Sequence, residues 1–237
     1  MQAQSTKHLT RIIVDVFKGV RTLYRLNILN LDISVDNIGI TADGTGCLTL
    51  SNWPCFLDDP LSEQDRLEAV GTLATMARAI LPTLPRSCNK PRIKQEVWHV
   101  IEQVVFTVLY IVASRPSGPI SPQRMSQEDQ KLWALWDTED AELPMSKGYI
   151  FRKPQLLESI LNQYTTFWTD LPRLVAVMAK YCGLGQVSDC LTIREEETVM
   201  GAQWGGRDGA ARLLDAVIDE LQMLLVMLVP QDTSKKA

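Results

Sequence analysis

The chain has 237 residues, of which 46% are hydrophobic, and its formal net charge at pH 7 is −4. A chain of this size can bury one substantial core or two modest ones. The negative charge argues against a general nucleic-acid-binding protein, which needs a basic surface to meet phosphates. The polar residues 1–8 lack the apolar core of a secretory signal, and the five cysteines have no metal-like spacing. We therefore predict a cytoplasmic or nuclear protein with reduced thiols.

Residues 9–24 place apolar side chains at helical spacing along one face, which predicts a helix. Directly after it, residues 29–37 read Leu-Asn-Leu-Asp-Ile-Ser-Val-Asp-Asn. This spacing resembles the catalytic loop of protein kinases, in which His-Arg-Asp is followed, after four residues, by Asn. The matching positions are Asn30, Leu31 and Asp32 for His-Arg-Asp, and Asn37 for the Asn.

Two β-prone runs come next and flank an Asp43-Gly44 turn signal, which predicts a β-hairpin over residues 38–51. In a kinase, the hairpin after the catalytic loop delivers the metal-binding Asp-Phe-Gly. The best match here is Asn52 for the Asp and Trp53 for the Phe. Asn52 and Trp53 therefore both differ from the residues of the kinase motif that they match.

Residues 71–81 resemble the end of a kinase activation segment, and the Ala-Pro-Glu of that segment falls on residues 77–79, with Ala79 at the Glu. A helix is predicted over residues 94–114. Its apolar run, Val104–Ala113, is about half of the ~20 residues that a membrane-spanning helix requires. A helix that is apolar on every side but too short for a bilayer belongs in the middle of a domain.

The rest of the chain is predicted to be helical, apart from one loop and the tail. Helices are predicted over residues 126–137, 155–164 and 171–181. Weak patterning with glycine and acidic residues predicts a flexible loop over 182–209. An amphipathic helix over 210–229 is expected to pack on the preceding domain, residues 1–181, and the tail 230–237 to be disordered.

Taken together, these segments are similar to the fungal-type protein kinase family. Its members carry His-Arg-Asp-Ile-Ser-x-x-Asn-Ile, which residues 30–38 resemble, and Thr-Gly-Thr-x-x-x-Met, which residues 70–76 resemble. Their Asp-Asp-Leu-Glu-Ser before a very apolar helix is similar to residues 99–103. The similarity covers roughly residues 8–175 in a consistent order. It implies a mainly α protein, a kinase-like C-terminal lobe with a small β-hairpin, in which the catalytic loop docks on the central apolar helix.

The same resemblance implies that the ATP-binding machinery is missing. The lobe that carries a Gly-rich loop and a strand-borne Lys would precede residue 9, and neither motif occurs in the sequence. Asn52 removes a carboxylate that Mg²⁺ prefers, Leu31 replaces the Arg that reads a phosphorylated activation segment, and Ala79 replaces the Glu of a buried ion pair. We therefore expect no catalytic residue, no cofactor site and no metal site.

The retained positions have a simpler structural interpretation, which we favour. Asp32 and Asn37 can hydrogen-bond across the loop, as Asp and Asn do in ordinary turns. Trp53 is expected to be a core anchor, because large aromatic side chains are usually buried.

The sequence thus predicts a catalytically inactive kinase-like protein, a pseudokinase, that acts as a protein-binding or regulatory module. Its expected partner is another protein, such as a kinase or the substrate of one, or a second copy of the chain, and neither a nucleic acid nor a membrane. Two alternatives stay open. The chain can be a phosphotransferase C-lobe that a separate nucleotide-binding lobe completes in trans, or a fragment of a longer fungal-type protein kinase.

Overall fold

The structure is a computed structural model, and its described part is mainly helical, as predicted, with six α-helices and two small antiparallel β pairs. The described residues are 3–29, 32–49, 55–56, 72, 75–78, 95–113, 147–148, 151, 154–163, 168–182 and 193–228. The predicted helix at 126–137 and the predicted tail at 230–237 lie outside them. None of the described helices combines the length and the apolarity needed to cross a membrane.

The first helix, α1, spans Thr6–Arg25 and confirms the helix predicted from the apolar periodicity. Its N-cap is Ser5, whose hydroxyl accepts a hydrogen bond from the His8 amide at 3.1 Å. It ends where Asn27 takes a positive φ of 62°, a conformation that Asn tolerates better than most residues. The buried face of α1 contains Leu9, Ile12, Ile13, Val16, Phe17, Val20 and Tyr24.

The predicted hairpin is present in the described residues. Strand β2, Ile38–Ile40, pairs antiparallel with β3, Gly46–Leu48. The connecting turn is closed by a hydrogen bond from the Thr41 amide to the Thr45 carbonyl oxygen at 2.9 Å, and Gly44 adopts a φ of 84° there. Residues 50 and 51 of the predicted hairpin lie outside the described part of the chain.

The β2–β3 hairpin lies against α1. A second strand pair includes β1, which precedes the loop that leads into the hairpin. A Cβ at Gly46 would be 2.5 Å from the Ile12 carbonyl oxygen, so only glycine allows this close approach of strand to helix. The second pair joins β1, Ile28–Leu29, to β4, Cys55–Phe56, in antiparallel register. Sequence reasoning did not predict this pair, because two-residue strands have no measurable period.

The helix α2, Val97–Ala113, lies in the core as its composition predicted. Each residue from Val97 to Leu109 is buried, including the polar ones. It packs against α4, Leu171–Tyr181, and against the terminal helix of the described chain. Because α2 is surrounded, every polar side chain on it must find its hydrogen-bond partner inside the protein.

The remaining described helices are α3, Pro154–Gln163, α5, Ile193–Trp204, and α6, Gly206–Met227. The α6 helix runs antiparallel to α1. Arg21 Nη1 lies 2.8 Å from Asp215 Oδ1 near one end of the pair, and Lys7 Nζ donates to the Leu228 carbonyl oxygen near the other at 2.9 Å. Together, α1, α2, α4 and α6 enclose one hydrophobic core.

The prediction of a loop over 182–209 was wrong where helix α5 and the start of helix α6 lie. Helix α5 occupies part of that segment, and α6 begins at Gly206 instead of residue 210. The glycines that suggested a loop serve the corner between the two helices. A Cβ at Gly205 would lie 2.3 Å from the Gly201 carbonyl oxygen, and one at Gly209 would lie 2.5 Å from that of Trp204. They are needed for close packing, which sequence patterning alone does not distinguish from a flexible loop.

Candidate functional site

The loop after β1 folds back on itself through the two side chains that the sequence singled out. A 3₁₀ turn at Val35–Asn37 brings Asn37 toward Asp32. The Asn37 Nδ2 donates to Asp32 Oδ2 at 2.9 Å and to the Asp32 carbonyl oxygen at 3.1 Å. Both residues are buried, Asp32 at 8% exposure and Asn37 at 5%. The predicted hydrogen bond across the loop is therefore present.

The second carboxylate oxygen of Asp32 is also engaged. It accepts a hydrogen bond from the Thr72 amide at 3.2 Å. The structure thus places part of the segment that resembles the end of an activation segment beside the loop that resembles a catalytic loop. With Asn37 on Oδ2 and Thr72 on Oδ1, the carboxylate joins two parts of the chain that are 40 residues apart.

The loop is fixed to the buried helix α2 through the backbone of Ile33. Its amide donates to Gln103 Oε1 at 2.9 Å, and its carbonyl oxygen accepts from Thr107 Oγ1 at 2.8 Å. Both backbone groups of Ile33 are therefore satisfied by side chains of one helix. Neither Gln103 nor Thr107 was among the predicted site residues, although a polar side chain within an otherwise apolar helix is the signal that could have found them.

A buried ion pair is formed by Glu102, the residue next to Gln103 on α2. The backbone amide and Nε of Arg78 both donate to Glu102 Oε1, at 2.9 Å and 2.8 Å. The side chains of the two residues are 3% and 4% exposed. The resemblance to kinases implied that Ala79 replaces the Glu of a buried ion pair. Ala79 lies outside the described residues, and a buried pair is present at the preceding position.

Lys147 lies beside this ion pair and is fully buried. Its Nζ donates to the Met76 carbonyl oxygen at 2.8 Å and lies 4.6 Å from the centroid of the Phe106 ring. Burial lowers the pKa of the Lys147 ammonium from its ordinary 10.5 to about 7, with Glu102 acting in the opposite direction and Arg78 in the same direction. Lys147 could not be selected from the sequence, because its hydrogen-bond partner Met76 lies 71 residues away along the chain.

The site residues predicted from the sequence are only partly described. The structure brings Asp32 and Asn37 together. The other positions that the resemblance to kinases singled out lie outside the described residues: Asn30, Leu31, Asn52, Trp53 and Ala79. A separate open cleft of about 490 Å³ lies between the start of α1 and the β2–β3 hairpin, with Gln4, His8 and Thr41 in its wall. Neither Asp32 nor Asn37 lines it.

Chemically, the arrangement around Asp32 is a scaffold. One carboxylate accepts from a side-chain amide and from a backbone amide, and the neighbouring backbone is held by α2. Hydrogen bonds of this kind satisfy buried polar groups and hold a loop in one conformation.

Comparisons with protein-family models, curated proteins and solved structures find no match for this chain.

Proposed function

We propose that this chain is a catalytically inactive kinase-like protein that acts by binding another protein. The observation that carries the proposal is the use of both Asp32 carboxylate oxygens within the fold, by Asn37 and by Thr72. Two hydrogen bonds within the fold give this carboxylate a structural role, because it connects the loop to a segment 40 residues away.

The order of the elements supports a likeness to a kinase C-terminal lobe. A helix precedes the loop, a hairpin follows it, and the loop is hydrogen-bonded to a buried central helix through Ile33. The segment that resembles the end of an activation segment lies near both, through Thr72 and Arg78. The resemblance implies that the catalytic loop docks on the central helix, and the hydrogen bonds of Ile33 to α2 support this part of the proposal.

The sequence supports the absence of phosphate transfer by this chain. It contains no Gly-x-Gly-x-x-Gly and no Val-Ala-Ile-Lys, the segments that cover and hold the phosphates of ATP in protein kinases. Asn52 takes the place of the metal-binding Asp. Since phosphoryl transfer depends on positioning and on charge neutralisation by Mg²⁺, losing these parts removes most of the catalytic effect.

A candidate protein-binding surface lies at the end of α6. Met223, Val226 and Met227 are 59%, 87% and 54% exposed, and their spacing places them on one side of the helix. We refer to these three residues as the α6 apolar face. Methionine-rich apolar surfaces on helices are suited to binding other proteins, because the flexible thioether adapts to different partners.

The first experiment tests the absence of a nucleotide site. We expect the melting temperature of the purified chain to be the same with and without ATP and Mg²⁺. A ligand at ~100 times its dissociation constant would stabilise the fold by ~2.7 kcal/mol, which a thermal-shift titration resolves easily. A rise in melting temperature that requires Mg²⁺ would contradict the proposal and favour the phosphotransferase completed in trans.

The second experiment tests the binding role. The wild-type chain and two variants are used as baits in an extract that contains the native partners. Val226→Lys introduces a charge on the α6 apolar face, and Gln203→Lys introduces the same charge on an exposed position of α5. We expect a protein that is retained by the wild type and by Gln203→Lys but lost with Val226→Lys. The same set of bound proteins for all three baits would exclude this surface.

A further inference from the structure

The backbone groups of strand β2 alternate between its partner strand and the opposite side. In an antiparallel pair, every second residue turns its N–H and C=O toward the partner, and the residues between them turn these groups outward. The Thr41 amide donates to the Thr45 carbonyl oxygen across the hairpin at 2.9 Å. Gly39 lies two residues before Thr41 and therefore also faces β3. The N–H and C=O groups of Ile38 and Ile40 consequently point away from β3.

The two outer edges of the hairpin differ in what covers them. On β3, the outward amide of Gly46 donates to Asp15 Oδ2 of α1 at 3.2 Å, and a Cβ at Gly46 would lie 2.5 Å from the Ile12 carbonyl oxygen. On β2, no hydrogen bond within the described part of the chain reaches the outward groups of Ile38 and Ile40. The β2 strand is thus the open edge of the hairpin, and its donors and acceptors are free to pair with another strand.

The cleft of about 490 Å³ lies where the side chains of an added strand would point. Ile38 is paired with Leu48, so their side chains share one face of the sheet. That face lies toward α1, because a Cβ at Gly19 would be 3.4 Å from Leu48 Cδ1. Ile38 and Ile40 line the cleft together with the start of α1. A strand that continues the same alternation would place every second side chain in the cleft.

The depth of this edge favours a single extended segment over a second folded copy. Ile38 is only 3% exposed and Ile40 is half-buried, so the inner end of β2 lies below the protein surface. A second copy would bring an equally recessed edge, and two recessed edges cannot approach to the ~4.8 Å that separates paired strands. An extended chain can enter the cleft, and main-chain hydrogen bonds then provide affinity while the pocketed side chains provide specificity.

A negative charge at the tip of the hairpin adds a preference for a basic residue. The Asp43 carboxylate accepts hydrogen bonds from the hydroxyl groups of Thr41 and Thr45, and these bonds lower the pKa of the carboxyl group. The side chain is exposed, and no cation of the described residues pairs with it. A lysine or an arginine at one end of the bound segment would supply the opposite charge.

We propose that the open edge of β2 and the cleft beside it bind an extended segment of a partner protein. The segment adds a third strand to the hairpin, places alternate apolar side chains in the cleft, and brings a basic side chain near Asp43. This binding mode rests on the proposed protein-binding role and gives that role a second surface, since no residue of the α6 apolar face lines the cleft.

The first test uses the free chain and amide hydrogen exchange. The Gly39 amide faces β3 and should be protected, whereas the outward amide of Ile40 should exchange at least ~10 times faster after correction for intrinsic rates. An Ile40 amide that is protected as strongly as that of Gly39 would mean that the edge is already covered, and it would overturn the proposal.

The second test uses peptides that are selected on the wild-type chain from a displayed library of random decapeptides. We expect binders that alternate apolar and polar residues and carry a lysine or an arginine. Each amide of one such binder is then N-methylated in turn. Because only every second N–H of an added strand faces β2, affinity should fall at least ~10-fold at alternate positions and remain nearly unchanged at the positions between them.

Matched variants locate the binding on β2. Ile40→Pro removes the outward N–H but leaves the hydrogen bonds of Gly39 to β3, so it should abolish peptide binding while the Gly39 amide stays protected. Ile40→Val keeps the donor and an apolar side chain and should bind as the wild type does. Asp43→Asn should weaken the binding of basic peptides by ~2–5-fold, as expected for an exposed charge pair.

Three results would each overturn the proposal: selection of no peptide, equal binding to Ile40→Pro and to the wild type, or an N-methylation scan without alternation. Because the scan uses the wild-type chain, it stays decisive even if Ile40→Pro does not fold. Failure of these peptide tests, with a native protein still lost from Val226→Lys, would refute the β2 site and leave the protein-binding role standing. A wild-type bait that retains no protein would refute the role itself.

Discussion

Removing the charge of Glu102 should destabilise the fold more than any surface substitution. The Glu102 carboxylate accepts two hydrogen bonds from Arg78, and both side chains are almost completely buried. In Glu102→Gln the carboxamide keeps the shape and one acceptor oxygen, but Arg78 loses the negative charge of Glu102 and Lys147 loses its electrostatic attraction to it. Breaking a buried ion pair by removing one partner costs about 3–5 kcal/mol, because the remaining charge stays in the core.

A loss of this size is a large part of the 5–15 kcal/mol by which proteins of this kind are stable. Urea denaturation followed by tryptophan fluorescence measures it as a shift of the midpoint at an unchanged slope. The matched control is Glu220→Gln, which removes the charge from the more exposed pair with Lys180, keeps an amide oxygen as acceptor for the Tyr181 hydroxyl, and should cost no more than about 1 kcal/mol. The double variant Arg78→Met with Glu102→Leu replaces the pair by apolar side chains and should recover much of the loss.

Equal destabilisation by Glu102→Gln and Glu220→Gln would refute this reasoning, since it would mean that the buried pair is as well screened as the exposed one. A double variant that is less stable than Glu102→Gln alone would refute it as well. In that case the specific hydrogen bonds, and not the isolated charge, would account for the loss.

Two further predictions concern Asp32 and Lys147. Asp32→Asn keeps one acceptor oxygen but turns its NH2 toward the other donor, so it should cost less stability than Asp32→Ala, which leaves both the Asn37 amide and the Thr72 amide without that acceptor and should cost about 1–3 kcal/mol in a urea melt. Phosphate transfer by the wild type that Asp32→Asn abolishes would contradict the structural role. Lys147 keeps its proton up to about pH 10.5 in the unfolded chain but releases it near pH 7 in the folded chain. The free energy of unfolding therefore rises with pH between these two values, by up to ~1.4 kcal/mol per pH unit. Below pH 7 it does not depend on this group. Lys147→Met should lose that increment in urea melts between pH 7.5 and 9.5, and identical slopes for both proteins would exclude a depressed pKa.

Local patterns were sufficient to predict several elements of the fold. The helix at Thr6–Arg25 follows from apolar side chains at helical spacing, and the central position of Val97–Ala113 follows from an apolar run too short for a membrane. The hairpin follows from the Asp43-Gly44 turn signal between two β-prone runs. Each of these depends on interactions between residues that are close together along the chain.

The same kind of sequence pattern led to the wrong prediction of a loop over 182–209. Glycine and acidic residues usually indicate a loop, but Gly205 and Gly209 are placed where two helix backbones approach each other. Helix α5 also has little amphipathic character, so periodicity could not reveal it. Whether a glycine provides flexibility or close packing depends on what lies opposite to it, and the linear sequence does not contain that information.

The candidate site shows the same difference between contacts within one segment and contacts between distant segments. The hydrogen bond between Asp32 and Asn37 could be predicted because the two residues are five positions apart in one loop. By itself, the sequence determined the short-range structure: five of the described helices, one hairpin and this loop contact. The tertiary structure decided which distant groups meet, including Thr72 at Asp32 and Lys147 beside Arg78 and Glu102. The physical reason is that a buried polar group must be satisfied, and only the packing of remote segments decides which group satisfies it.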